Sequence, residues 1–160
     1  MSKTAILIAA LFCLAPCSSY ADDWFADCRA ENGKRIKPDY IEERSTPWLA
    51  KGDIENAEIR VNMHSPYNIV SLDTLMWLFY RECYFVREGI ADDERQEPKA
   101  AKRADCWALN YLTKIGYDPV PIDIERDLET LEATSERAWT SVFGPWRRVR
   151  FKQCELSPGE

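Results

Sequence analysis

The sequence predicts a mainly α (α+β) domain: three to four packed helices with a small strand element, held by two disulfides. Three observations predict it. Apolar residues recur at helical spacing through two long segments, Ser71 to Glu88 and Lys99 to Ile115. Only one clean stretch, Ala57 to Met63, alternates with period two. Four cysteines remain once an amino-terminal export segment is set aside.

That export segment begins with Lys3, runs through the apolar stretch Ala5 to Ala15, breaks at Pro16 and ends on Ser19-Tyr20-Ala21, which carries small residues where a signal peptidase reads them. The run is too short to remain in a bilayer as a spanning helix, and it lacks the polar face of a buried amphipathic helix. Pro16 disfavours a lipid anchor on Cys17. Residues 1–21 are thus expected to be a signal peptide cleaved after Ala21. Residues 22–160 form a single domain, periplasmic or secreted, with no stable membrane insertion. Cleavage removes one of 21 basic residues and none of 27 acidic ones, so the formal charge moves from −6 to −7. Such a balance disfavours general nucleic-acid binding, which needs clustered positive charge.

Cys28, Cys83, Cys106 and Cys154 survive cleavage, and an even number in an exported chain implies two bridges with three pairings open. A zinc site built from these four is the weaker reading, because no two of them stand as Cys-x-x-Cys.

Element by element, Trp24 to Ala30 is short and mixed, and Asn32-Gly33 marks a turn. Ile36 to Glu43 reads as a short strand or an extended arm, and Ser45 to Asp53, with Pro47 and Gly52, as loop. Ala57, Ile59, Val61 and Met63 face one side of a half-buried strand, with Glu58, Arg60 and Asn62 on the other. Ser71 caps the first helix, Leu72, Leu75, Met76, Phe79, Cys83 and Val86 mark its buried positions, and Gly89 stops it. Apolar residues all round it predict the central, buried helix. Ile90 to Glu97 reads as charged and solvated. The second helix buries Ala101, Ala104, Leu109, Tyr111, Leu112 and Ile115 and stops at Gly116. Asp118-Pro119-Val120-Pro121 is a stiff connector. A third helix, Ile122 to Val142, follows, with the stripe Ile124, Leu128, Leu131, Ser135 and Ala138. Gly144-Pro145 breaks it, and Pro145 opens a short last helix through Cys154.

The first two helices carry the residues of chemical interest. One reads Leu78-Phe79-Tyr80-Arg81-Glu82-Cys83-Tyr84-Phe85-Val86 and the other Ala101-Lys102-Arg103-Ala104-Asp105-Cys106-Trp107-Ala108. With the closing stretch Phe143-Gly144-Pro145-Trp146-Arg147 and Cys154, this arrangement resembles small secreted bacterial zinc metallopeptidases of the gluzincin type. In those proteins one helix carries His-Glu-Cys-x-His and a later one Glu-x-x-Ala-Asp-Cys-Trp-Ala. The resemblance runs from about Ile59 to Cys154, and Ala104 to Ala108 is its best-matched part.

Catalysis of that kind needs two imidazoles four residues apart, a third ligand from another helix, and a Glu acting as general base on the zinc-bound water. Here the histidine positions hold Arg81 and Phe85, and the third ligand position holds Ala101. Only the base, Glu82, and the supporting acid, Asp105, remain, both vestigial. No metal and no cofactor is therefore expected. The single histidine, His64, lies outside both helices and cannot replace two imidazoles. In the resembled proteins the Asp supports the first histidine, whose place Arg81 takes. A buried guanidinium without carboxylates costs about 3–5 kcal/mol, so the resemblance implies that Arg81 pairs with Asp105, with Glu82 nearby; otherwise it points to solvent. The resemblance also implies the bridges Cys83–Cys106 and Cys28–Cys154.

Other chemistries are poorly served. No Gly-rich phosphate loop and no Gly-x-Ser-x-Gly elbow is present. The basic, aromatic run Trp146 to Lys152 reads as a face that balances an acidic body. The expected function is an exported, catalytically inactive metallopeptidase-like protein that binds an unknown protein or peptide partner in the cell envelope. The alternatives are an active hydrolase with an unrecognised site, and a small secreted structural or inhibitory domain unrelated to zincins. Metal analysis separates the first two.

Overall fold

The structure, a computed structural model, describes residues 28–67, 70–117, 119–134, 136, 139–140 and 147–154. The expected signal peptide and Phe143 to Trp146 lie outside the described residues. Three strands, β1 (Lys37–Ile41), β2 (Ala50–Asp53) and β3 (Glu58–Asn62), and three helices, α1 (Leu72–Arg87), α2 (Pro98–Lys114) and α3 (Pro121–Thr134), make a mainly α domain with a small sheet. One-turn 3-10 helices occur at Glu94–Gln96 and Phe151–Gln153.

The sheet order is β1-β3-β2, with β1 parallel and β2 antiparallel to β3. Ile59 and Val61 of β3 are fully buried, as their alternation requires, while Met63 beyond the strand end is exposed. Asn62 departs from the pattern: it is buried, and its amide holds the loop before β2. Its Nδ2 donates to the carbonyls of Glu43 and Thr46, and its Oδ1 accepts from the Glu43 and His64 amides. A side chain that satisfies four loop groups belongs inside, whatever its polarity.

The segment expected as loop before Asp53 contains β2. Gly52 explains why it was hidden and why it fits. A Cβ there would stand 2.6 Å from Val86 Cγ2 and 3.2 Å from the Glu82 carbonyl oxygen, so only glycine lets the strand lie this close to α1.

α1 is the central helix. Every residue from Thr74 to Cys83 is buried, because α1 packs against β2 and β3 as well as against α2 and α3. Ser71 caps it by accepting from the Thr74 amide, and Asp127 of α3 accepts from Ser71 N, Ser71 Oγ and Thr74 Oγ1 at 2.6–2.7 Å. Gly89, at φ +62°, closes the other end, with the Ile90 amide reaching back to the Phe85 carbonyl. α3 buries Ile124, Leu128 and Leu131 of the expected stripe; Ser135 and Ala138 lie outside the described residues. Glu136, Trp139 and Thr140 are helical too. The expected last helix is not formed over 147–150, where the chain has no regular structure before the single turn Phe151–Gln153.

The bridges are Cys28–Cys83 and Cys106–Cys154, not Cys83–Cys106 and Cys28–Cys154. α1 and α2 do pack together, but successive residues turn by about 100° around a helix. Arg81 faces Asp105 on α2, so Cys83, two residues on, faces the opposite way, toward the segment before β1. Cys106 is turned from Asp105 toward the closing segment. The sequence separations are 55 and 48 residues, and a loop of that size is worth about 4 kcal/mol in the chain-entropy model. Removing either bridge by paired Cys→Ala substitution is expected to cost about that much in urea unfolding, and non-reducing peptide mapping should recover the two bridges named here.

Candidate functional site

α1, α2 and the closing segment converge on a buried cluster of charge. Arg81, Glu82 and Asp105 are each at most 5% exposed. The helices fix their placing: Trp77, one turn before Arg81, donates its indole N–H to the Asp105 carbonyl at 3.1 Å and so holds α1 and α2 in register. Arg81 pairs with Asp105 as expected, Nε donating to Oδ1 at 3.0 Å, and its Nη1 donates to Glu82 Oε1 at 3.0 Å.

Two further arginines complete the cluster. Arg147 grips Asp105 with both ends of its fork: Nε donates to Oδ2 at 2.9 Å, and Nη2 lies 2.7 Å from both carboxylate oxygens. Arg95 Nη1 donates to Glu82 Oε2 at 3.1 Å and to the Gly52 carbonyl, and its Nε donates to the Ile90 carbonyl. The Gly52 amide also donates to Glu82 Oε2 at 3.0 Å. Phe85 supplies the apolar floor; the guanidinium carbons of Arg81 and Arg95 lie 5.0 and 5.2 Å from its ring centre, within cation–π range. Ala101 is fully buried on α2, one turn before Asp105.

All five residues singled out in the sequence, Arg81, Glu82, Phe85, Ala101 and Asp105, are therefore buried in the two packed helices. His64 is not with them: it is exposed beyond β3, 3.7 Å from Glu42 Oε1. Arg95 was hidden because it lies in a short, highly charged segment with no periodicity, which reads as solvated; in fact its side chain is 8% exposed. Arg147 is visible only as part of the closing Gly-Pro-x-Arg stretch. It reaches Asp105 because the Cys106–Cys154 bridge ties that stretch to α2. Arg150 pairs with Glu125 and Glu129, so the basic run is partly spent on ion pairs within the domain.

Electrostatics follow from burial. Desolvation lowers the Arg147 pKa, Asp105 opposes it, and the nearby Arg81 guanidinium lowers it further; a guanidinium starts so high that it stays charged. Outside the cluster, burial and the hydrogen bond to Asp73 push the Tyr117 hydroxyl well above its ordinary range.

The cluster does not fit a zinc ion. Arg81, Phe85 and Ala101 carry guanidinium, phenyl and methyl groups, none of which offers a lone pair to a metal. Among the described residues, no group of three or more His, Cys, Asp or Glu side chains is placed to hold a metal. Glu82 already accepts from three donors, one guanidinium on Oε1 and the Gly52 amide and a second guanidinium on Oε2. Chemically the site can do something else: it presents guanidinium edges to a cavity of about 160 Å³ lined by Trp48, Lys51, Arg81, Phe85 and Arg95 among others. Comparison with protein-family models, curated proteins and solved structures finds no match for the chain.

Proposed function

We propose that this chain is an exported, catalytically inactive, metallopeptidase-like protein that acts as a binding module in the cell envelope, periplasmic or secreted. One observation supports the reading. Arg81, Glu82 and Phe85 of α1 and Ala101 and Asp105 of α2 are all buried, and where the resemblance would call for zinc ligands a guanidinium–carboxylate network joins Arg81, Glu82, Asp105 and Arg147. A divalent cation placed there would meet three guanidinium groups at close range and no imidazole. Two disulfides suit an oxidising compartment, and the amino-terminal signal-like segment supports export. Among the described residues no helix is long and apolar enough to cross a membrane. The cavity lined by Trp48, Phe85 and three cationic side chains suits recognition of a protein or peptide.

The test is direct. The purified, oxidised protein is incubated with equimolar zinc and a mixture of unstructured peptides, and products are followed by mass spectrometry. No cleavage above the protein-free background is expected. Zinc-dependent cleavage abolished by Glu82→Gln would overturn the reading.

A further inference from the structure

We propose that the cavity beside Arg95 binds a carboxylate, and that the ligand it fits is the carboxyl terminus of a peptide. Arg95 sits in the single turn Glu94–Gln96 and is 6% exposed. Its Nη1 and Nε are engaged by Glu82, Gly52 and Ile90, whereas its Nη2 is buried with no hydrogen-bond partner among the described residues. Buried charged donors rarely go without an acceptor, so such an atom asks for one from outside the chain. Glu82, although it takes Arg95 Nη1, makes no bond to Nη2.

Charge points the same way. Three guanidinium groups share two buried carboxylates, and the third acid in reach, Asp92, has a side chain 66% exposed. On the rim Lys51, half exposed, lies 3.5 Å from Asp92 Oδ2, so that pair leaves the entrance near neutral. One excess positive charge in the buried layer then matches a monoanion better than a dianion such as phosphate. Planar carboxylate geometry suits the edge of a guanidinium.

Size and walls narrow the ligand. The cavity of about 160 Å³ is small beside the roughly 300–1,000 Å³ of drug-sized sites. It takes a carboxylate and one side chain against Trp48 and Phe85. A second cavity of about 570 Å³ shares Trp48, Lys51, Asp92 and Arg95 and continues past Gly52 to Ile54 and Glu55, giving the preceding residues a course. Chain-terminal carboxylate capture is an established recognition mode. This deepens the binding-module reading and rests on it for the peptide alone; the carboxylate site stands on Arg95.

Titration followed by ¹H–¹⁵N NMR tests the proposal, with N-acetyl-glycyl-leucine, its carboxamide, acetate and inorganic phosphate as probes on the oxidised protein. The acid is expected to shift the Arg95 and Trp48 side-chain resonances with a Kd of about 0.1–1 mM, and the carboxamide to bind at least about tenfold more weakly. Arg95→Gln should weaken the acid at least about tenfold without affecting the amide. If that variant does not fold, Lys51→Gln on the exposed rim should still cost about threefold. Equal binding of acid and amide, tighter binding of phosphate, or no shift at about 10 mM acid would overturn the site. Acetate binding as tightly as the dipeptide would overturn the peptide assignment. Peptide cleavage with zinc would sink the inactive-protein reading and leave the carboxylate result untouched, so the two failures are distinguishable.

Discussion

Asp105→Ala is expected to lower the unfolding free energy by about 3–5 kcal/mol, because two arginines lose the same buried carboxylate at once. Arg81 is 3% exposed and would lose one of its two carboxylate contacts while keeping Glu82. Arg147 loses the carboxylate that its Nε and Nη2 both bind. For a domain whose total stability is about 5–15 kcal/mol, a loss of that size is a large fraction. Arg147→Gln should cost less, about 1–2 kcal/mol, because Arg81 still holds Asp105 and the Arg147 side chain is already 13% exposed. Urea unfolding followed by tryptophan fluorescence measures both. A loss below about 1 kcal/mol for Asp105→Ala would mean that the arginines find solvent easily and that the cluster is not the closed layer described here.

The size of that loss is not the worth of the cluster. Buried ion pairs repay desolvation only in part, and an apolar replacement of the same shape can be as stable. What the network does is fix geometry: Asp105 accepts from α1 and from the closing segment, and Glu82 accepts from α1, β2 and the turn at Glu94–Gln96. Two carboxylates thereby tie five parts of the chain together: α1, α2, β2, the turn Glu94–Gln96 and the closing segment.

How much of this could be read from sequence varies with the physics of each part. α1 and α2 were legible because each carries a helical apolar stripe, α1 opens on a Ser cap, and both end at a glycine, all local signals. The Arg81–Asp105 pair was legible because a guanidinium on a buried helix needs a carboxylate, and the zinc-peptidase resemblance set Asp105 beside the position that Arg81 fills. β2 was not legible: Ala50-Lys51-Gly52-Asp53 has no apolar alternation, and it is a strand because β3 pairs with it and α1 leaves room only for a glycine. Arg95 was missed since nothing in the sequence around it distinguishes a buried charge from solvated ones. Bridge pairing went wrong because two packed helices do not bring together every residue on them; which face each sulfur occupies is set by the 100° step from Arg81 to its neighbours. Asn62 was placed on the outer face by its polarity, though loop groups demanded it inside.

Restoring the ligand set, with Arg81→His, Phe85→His and Ala101→Glu together, bears most directly on the claim that a charge network occupies a former metal position. Positions 81 and 85 stand one turn apart on α1, and position 101 stands one turn before Asp105 on α2. Removing the Arg81 guanidinium also releases Asp105 Oδ1 from one donor, leaving it able to accept from an imidazole introduced at position 81. Isothermal titration of zinc into the oxidised wild-type protein and the triple variant, side by side, is the measurement. The expected result is no stoichiometric binding by the wild type and a 1:1 site with a Kd of about 1 µM or tighter in the variant. A folded variant that gains no zinc affinity, or a wild-type protein that already binds zinc as tightly, would contradict it.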